Sequence, residues 1–160
     1  MLSLSFEEAG EAVHAQLLRS VKAHLVSDVP VGLFLSGGTD SSLVAALCVE
    51  AGTPLQGFSI GFSEASYNEL PYAQAVAQHL GIPFEAATLS PSEALRLVPE
   101  LPVWFDEPFG DWSALPTYLV SRLAAARVKV VLAGDGGDEL YWGYGRYRWA
   151  NRLARGGAVL

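Results

Sequence analysis

The 160-residue sequence holds a single cysteine, Cys48. Without a second thiol there is neither a disulfide framework nor a cysteine-rich zinc site. Cys48 falls inside the apolar stretch 43–49 and reads as a buried packing residue. No apolar run approaches the roughly 18–20 residues that span a bilayer, and the first residues lack the three-part pattern of a secretory signal. No membrane partner is expected, and the expected compartment is the cytoplasm. Basic residues are also few. Ten Lys and Arg stand against seventeen Asp and Glu, a net charge of −7. Nucleic-acid binders usually carry a basic footprint, so no nucleic-acid partner is expected. His14, His24 and His79 are scattered and imply no metal triad, only surface or helix-end positions. With 51% apolar and 17% charged residues, the chain is long enough for one globular domain with a real core.

Against that background, residues 31–43, VGLFLSGGTDSSL, stand out. An apolar run ends at Ser36-Gly37-Gly38-Thr39-Asp40-Ser41-Ser42, and an apolar helical pattern follows. Strand, glycine turn and helix N-terminus together aim backbone N–H groups and the positive end of a helix dipole at one point. Phosphate is the commonest anion at such a point. A Walker loop needs G-x-x-x-x-G-K-[ST], but the nearest lysines are Lys22 and Lys129. A dinucleotide loop needs G-x-G-x-x-G, and a nucleophile elbow needs G-x-S-x-G. At this loop Gly37-Gly38-Thr39 does not supply the first, and Phe34 breaks the second at Ser36. Gly37 and Gly38 can take positive φ and let the backbone approach phosphate oxygens, and Ser36, Ser41 and Ser42 offer hydroxyls. Asp40 would repel phosphate directly, so it needs a bridging cation, and Mg²⁺ is the usual one. The bland alternative is a Gly-Gly turn in which Ser and Asp cap a helix.

A second loop has the same build. Residues 128–133 read as a buried strand, which breaks at Gly134-Asp135-Gly136-Gly137-Asp138-Glu139 before a helical segment. The EF-hand spacing is absent, which weakens a calcium reading. In an open parallel sheet, ligands sit at the carboxyl ends of the strands where the strand order reverses. If the two strands are neighbours there, Asp40 and Asp138 face one cleft and each can give an oxygen to one Mg²⁺ on ATP.

The motif Ser-Gly-Gly-x-Asp-Ser resembles the pyrophosphate loop of the N-type ATP pyrophosphatases. Five ordered segments carry a closer resemblance: DVPVGLFLSGGTDSSLVAAL, FSIGF, SYNELPYAQAVAQHLG, FDEPFGDWSALPTYLVS and VKVVLAGDGGDEL, within residues 28–140. Together they are similar to the synthetase domain of glutamine-dependent, class B asparagine synthetases. The resemblance implies an adenine nucleotide alpha hydrolase-like fold and an AMP-forming ligase. ATP and aspartate would give β-aspartyl-AMP and pyrophosphate, and ammonia would displace AMP. It implies nucleotide contacts at Phe34, Leu35, Ser36, Gly37, Gly38, Asp40, Ser41, Ser42, Ile60, Ala133 and Gly134. It also implies Mg²⁺ at Asp40 and Asp138, and a binding or acid–base role at Asp135. Asp106-Glu107-Pro108 would lie near the cleft, although a solvated turn is an equal reading. The negative charge argues against the tRNA-modifying relatives of this loop family.

Several positions depart from the family pattern. Leu2 stands where the glutaminase half would begin with a catalytic Cys, so that half is expected to be absent. No lysine follows Asp138, so either Arg146 or Arg148 substitutes for the family's lysine or the chain is a piece of a longer protein; we favour the piece, a synthetase domain over residues 1–160 truncated at its C-terminus. Asn68 replaces an Asp, Ala133 a Ser and Trp142 a Gly, the last on the substrate side of the pocket. Two other readings stay open. One is a β-lactam-forming or peptide-tailoring amide synthetase; the other is a nucleotide-binding module without turnover.

The alternation of elements predicts a doubly wound α/β parallel sheet with helices on both faces. Phe6, Ala9, Val13, Leu17, Val21 and Leu25 define a first helix, capped by Ser5 and Glu8, that should lie against the sheet. Strands are expected over 55–60 and 84–89. Helices are expected over 39–51, 68–80 (ended by Gly81) and 115–126. Ser66–Glu69 and Ser90–Glu93 both read as capping boxes. The tail from Arg155 through Gly156, Gly157 and Ala158 reads as frayed. No internal repeat or low-complexity tract is present.

Overall fold

The first helix, α1 (Phe6–His24), starts where its capping box puts it: Ser5 Oγ accepts from the Glu8 N–H at 3.2 Å, and Glu8 Oε2 accepts from the Ser5 N–H at 2.7 Å. The structure is a computed structural model and describes residues 4–53, 55–107 and 110–156. Only the last turns of α1 meet the core. Leu17, Leu18, Val21 and Leu25 pack there, while Phe6 stays 94% exposed. The expectation that the helix lies against the sheet holds for these last turns, and the rest is kept off by length. Nineteen helical residues extend about 28 Å, whereas the four-residue first strand extends about 13 Å, so the helix overhangs it.

The rest follows the α/β alternation: β1 (Val31–Phe34), α2 (Thr39–Glu50), β2 (Gln56–Phe62), α3 (Leu70–Leu80), β3 (Phe84–Leu89), α4 (Pro91–Leu97), α5 (Leu101–Phe105), α6 (Ala114–Ala125), β4 (Val130–Leu132), α7 (Gly137–Tyr141) and α8 (Gly145–Gly156). Ser90 and Glu93 form the expected capping box of α4, and Gly81 ends α3 at φ 65°. The box expected at Ser66 does not form. Asn68 Oδ1 accepts from the Leu70 N–H at 3.2 Å, so the helix starts two residues later and Ser66 is left in a short 3₁₀ turn. Arg155 and Gly156, expected to fray, belong to α8; Gly157 and Ala158 lie outside the described residues.

The four strands are parallel in the order β3-β2-β1-β4. The chain winds outward from β1 to β3, returns, and adds β4 on the other side of β1. The strand order therefore reverses between β1 and β4. Each face of the sheet carries helices. Leu33 and Leu35 point into a cluster with Val21, Leu47, Cys48 and Ala77 from α1, α2 and α3. Phe58 packs with Ala124 of α6 and with Val128, and Phe34 joins that second cluster. The alternation along β1 thus sorts its side chains between two helical layers. β4 departs from the expected buried strand: it is an edge of the sheet and Val130 is 41% exposed. Cys48 is buried as expected, at 1% exposure, and burial pushes its thiol up to about 11. No helix among the described residues is long and apolar enough to cross a membrane.

Candidate functional site

At the carboxyl ends of β1 and β4, two glycine loops meet. The first, residues 35–38, is braced from within. Ser36 Oγ and Ser41 Oγ are 3.0 Å apart, the Gly38 N–H donates to Ser36 Oγ at 3.2 Å, and Ser41 Oγ donates to the Gly38 carbonyl at 3.3 Å. Two of the three serines therefore hold the loop's shape. Ser42 is turned away: its hydroxyl is buried without a hydrogen-bond partner among the described residues. Gly37 alone of the glycine pair has positive φ, at 83°, while Gly38 is extended at −69°. Gly37 is also where the loop touches α3, since a Cβ there would lie 2.6 Å from the Ala73 nitrogen.

α2 begins immediately after Gly38, and no side chain caps it. The first N–H groups of a helix have no intrahelical acceptor. Here they open on the cleft beside Thr39 and Asp40. The expected bland arrangement, with Ser or Asp capping the helix, is not formed.

The second loop interlocks with this turn. A Cβ on Gly134 would lie 2.7 Å from the Ser41 nitrogen and 3.0 Å from the Asp40 carbonyl carbon. One on Gly137 would lie 2.5 Å from Asp40 Cγ. At Gly134 the contact is backbone, so glycine is required there for the loops to approach each other; at Gly137 it is the Asp40 carboxylate, which would have to shift. Asp138, in the first turn of α7, lines the same cleft, as does the exposed Asp135.

The cleft has a volume of about 480 Å³. Of the positions named from the sequence, Phe34, Leu35, Ser36, Gly38, Asp40, Ser41, Ile60, Ala133, Gly134, Asp135 and Asp138 line it. Gly37 and Ser42 do not. Nor do Asp106 and Glu107: Asp106 ends α5 in the left-handed region at φ 59°, and Pro108 lies outside the described residues. Arg146 and Arg148 do not line the cleft, although the Arg146 guanidinium acts on Glu139, which does. Trp142 is likewise absent from the lining. It ends α7 at φ 60°, a conformation that favours glycine, so the departure at this position is one of backbone.

The sequence reading missed several lining groups. Pro116, Thr117 and Val120 come from α6, which starts at the carboxyl edge of the sheet because it leads back to β4. That signal lies in topology, not in motif. Tyr144 and Glu139 form the other wall, Tyr144 Oη donating to Glu139 Oε1 at 2.7 Å. This bond holds the Glu139 carboxyl below its ordinary range and pushes the Tyr144 phenol up. The Arg146 guanidinium rests 4.1 Å from the centre of the Tyr144 ring, behind the wall.

Among the described residues, five carboxylates line the cleft, from Asp40, Glu69, Asp135, Asp138 and Glu139, and no Lys, Arg or His does. A triphosphate in such surroundings is repelled unless a cation is interposed. No group of three metal-binding side chains occurs among the described residues. Mg²⁺ on a nucleotide does not need one, because it is held by one or two carboxylates plus phosphate oxygens. The donor set fits such an ion.

A family model described as asparagine synthase matches residues 12–159. The chain belongs to the asparagine synthase family. It is 42% identical over 129 residues to asparagine synthetase [glutamine-hydrolyzing] 1 of Bacillus subtilis, an alignment covering 81% of this chain and 20% of that protein. It is 44% identical over 130 residues to putative asparagine synthetase [glutamine-hydrolyzing] 2 of Methanocaldococcus jannaschii, covering 80% and 25%. This asparagine synthase stretch thus spans about a fifth to a quarter of the length of these relatives. Among solved structures, the glutamine-dependent NAD+ synthetase of Acinetobacter baumannii in complex with ADP superposes with a TM-score of 0.59 at 22% identity, covering 90% of this chain and 28% of that one. The NMN synthetase of Francisella tularensis gives 0.58 at 18% identity, covering 84% and 58%. These neighbours share the adenine nucleotide alpha hydrolase-like fold.

Proposed function

We propose that this chain is the ATP-pyrophosphatase part of an AMP-forming amide ligase that converts aspartate to asparagine. The observation that carries this reading is the interlock of Gly134 and Gly137 with Asp40, which joins an uncapped helix N-terminus to an acidic loop across one cleft. Backbone N–H groups of the first turn of α2 would hold phosphate oxygens. Asp40 and Asp138 would hold Mg²⁺, which when bound offsets phosphate charge and so favours departure of pyrophosphate. Phe34, Leu35, Ile60, Ala133 and Gly134 would border the adenosine, and Asp135 would face the acceptor. A β-carboxylate oxygen of aspartate attacks the α-phosphorus and pyrophosphate leaves. Ammonia nitrogen then attacks the acyl carbon, AMP leaves, and one proton is lost to solvent or a base. The ammonia would come from a glutaminase domain outside this stretch, as the names of the glutamine-hydrolyzing relatives suggest. The cytoplasm is the proposed compartment.

The test is to supply ATP, Mg²⁺, aspartate and ammonia and to measure pyrophosphate. Release that depends on aspartate is the expected result. Release driven only by another carboxylic acid would move the assignment to a different amide synthetase. Tight ATP binding without pyrophosphate would reduce the chain to a nucleotide-binding module.

A further inference from the structure

A second cavity, about 520 Å³ in volume, lies between α4, α6 and the edge strand β3. It is separate from the loops just described and meets the nucleotide cleft only at Ile60, which lines both. Its walls are apolar where Leu97, Leu119 and Leu123 face it. Arg96 and Arg122, both exposed, also line it. Neither guanidinium forms an ion pair among the described residues: Arg96 Nε donates to the Ser92 carbonyl at 3.3 Å, and Arg122 lies 5.6 Å from the Tyr118 ring centre.

Both guanidinium groups nevertheless lie near enough to the Glu93 carboxylate to help hold its pKa down, after its bonds from Ser90. The one carboxylate at the site, Glu93, is already engaged, since it accepts from the Ser90 N–H at 3.1 Å and from Ser90 Oγ at 2.6 Å as part of the α4 cap. Two positive charges and one negative leave a single positive charge facing the cavity. The volume is that of a small-molecule pocket. We propose that this cavity binds a monocarboxylate with an apolar body, its carboxylate on Arg96 and Arg122 and its body against the leucines of α4 and α6. Guanidinium favours this ligand because it matches carboxylate geometry with paired N–H donors.

Octanoate is the probe, with octanol as its uncharged counterpart, both titrated calorimetrically into the full chain. Saturable octanoate binding is expected, with none for octanol at equal concentration. Arg96→Gln with Arg122→Gln should weaken octanoate by at least about tenfold, as loss of charge-assisted hydrogen bonds does, while Mg-ATP affinity is retained. Ala87→Leu, which fills the cavity from β3 and leaves both charges in place, should also abolish binding. This guards against an arginine variant that fails to fold. Equal octanoate affinity in the wild type and the double variant would overturn the proposal. So would absence of saturable octanoate binding to the wild type.

Discussion

Asp40 is the residue on which the two loops close. Its carboxylate lies against Gly137 and its backbone against Gly134, and it faces a cleft with no basic side chain among the described residues. Removing it takes away one of the two carboxylates proposed to hold the ion. Asp40→Ala should weaken Mg-ATP by at least about tenfold, or ~1.4 kcal/mol. Glu93→Ala removes the same charge away from the nucleotide cleft and should leave Mg-ATP affinity unchanged in calorimetry. Equal affinities would count against the metal assignment. Glu139 supports a second expectation at this scale. Its hydrogen bond from Tyr144 lowers its pKa from an ordinary value of 4.5. A carboxylate depressed in the folded state contributes stability above its unfolded value, and that contribution disappears as pH falls through the folded value. A ¹³C titration of the Glu139 carboxyl should therefore show an inflection below the ordinary glutamate range, returning to it in Tyr144→Phe. An unchanged inflection in the variant would mean that the bond does not form in solution.

Elements make a different demand on the sequence. Gly134 and Gly136 stand in one loop, yet they do different jobs. An added methyl at Gly134 meets backbone at 2.7 Å, and backbone cannot swing aside. At Gly136 the same methyl meets open space, and only its φ of 89° opposes substitution. Gly134→Ala should cost roughly 2–3 kcal/mol by overpacking and should lower ATP affinity with it. Gly136→Ala should cost about 1 kcal/mol from the left-handed backbone alone. Urea midpoints measure both, and equal shifts would argue against the interlock. Element boundaries were legible where one residue decides them, as at Ser5, Ser90 and Gly81. They were not legible at the entry to α3, where Asn68 accepts from the Leu70 N–H and the helix starts at Leu70, leaving Ser66 outside it. α8 escaped the reading because its twelve residues are rich in Arg and polar on average, although amphipathic in their spacing. Trp142 drew attention as a bulky side chain, but its position is set by a left-handed turn.

For the whole molecule, the decisive quantity is the sheet order. Periodicity and glycine breaks predicted four strands and the helices between them, but no local pattern states which strands are neighbours. Placing β4 beside β1 brings together loops nearly a hundred residues apart. It also makes β4 an edge, so a run of valines that reads as buried leaves Val130 exposed. By itself, the sequence determined the phosphate-type turn, the acidic second loop, the parallel α/β class and the family, because each is written in contiguous residues whose backbone preferences are local. Only the tertiary structure decided that Asp40 and the glycines of the second loop touch, that Ser36 and Ser41 brace the turn, that Tyr144 forms a wall, and that Arg96 and Arg122 share a separate cavity. Those facts depend on packing between distant segments, where burial and steric fit outweigh any local preference.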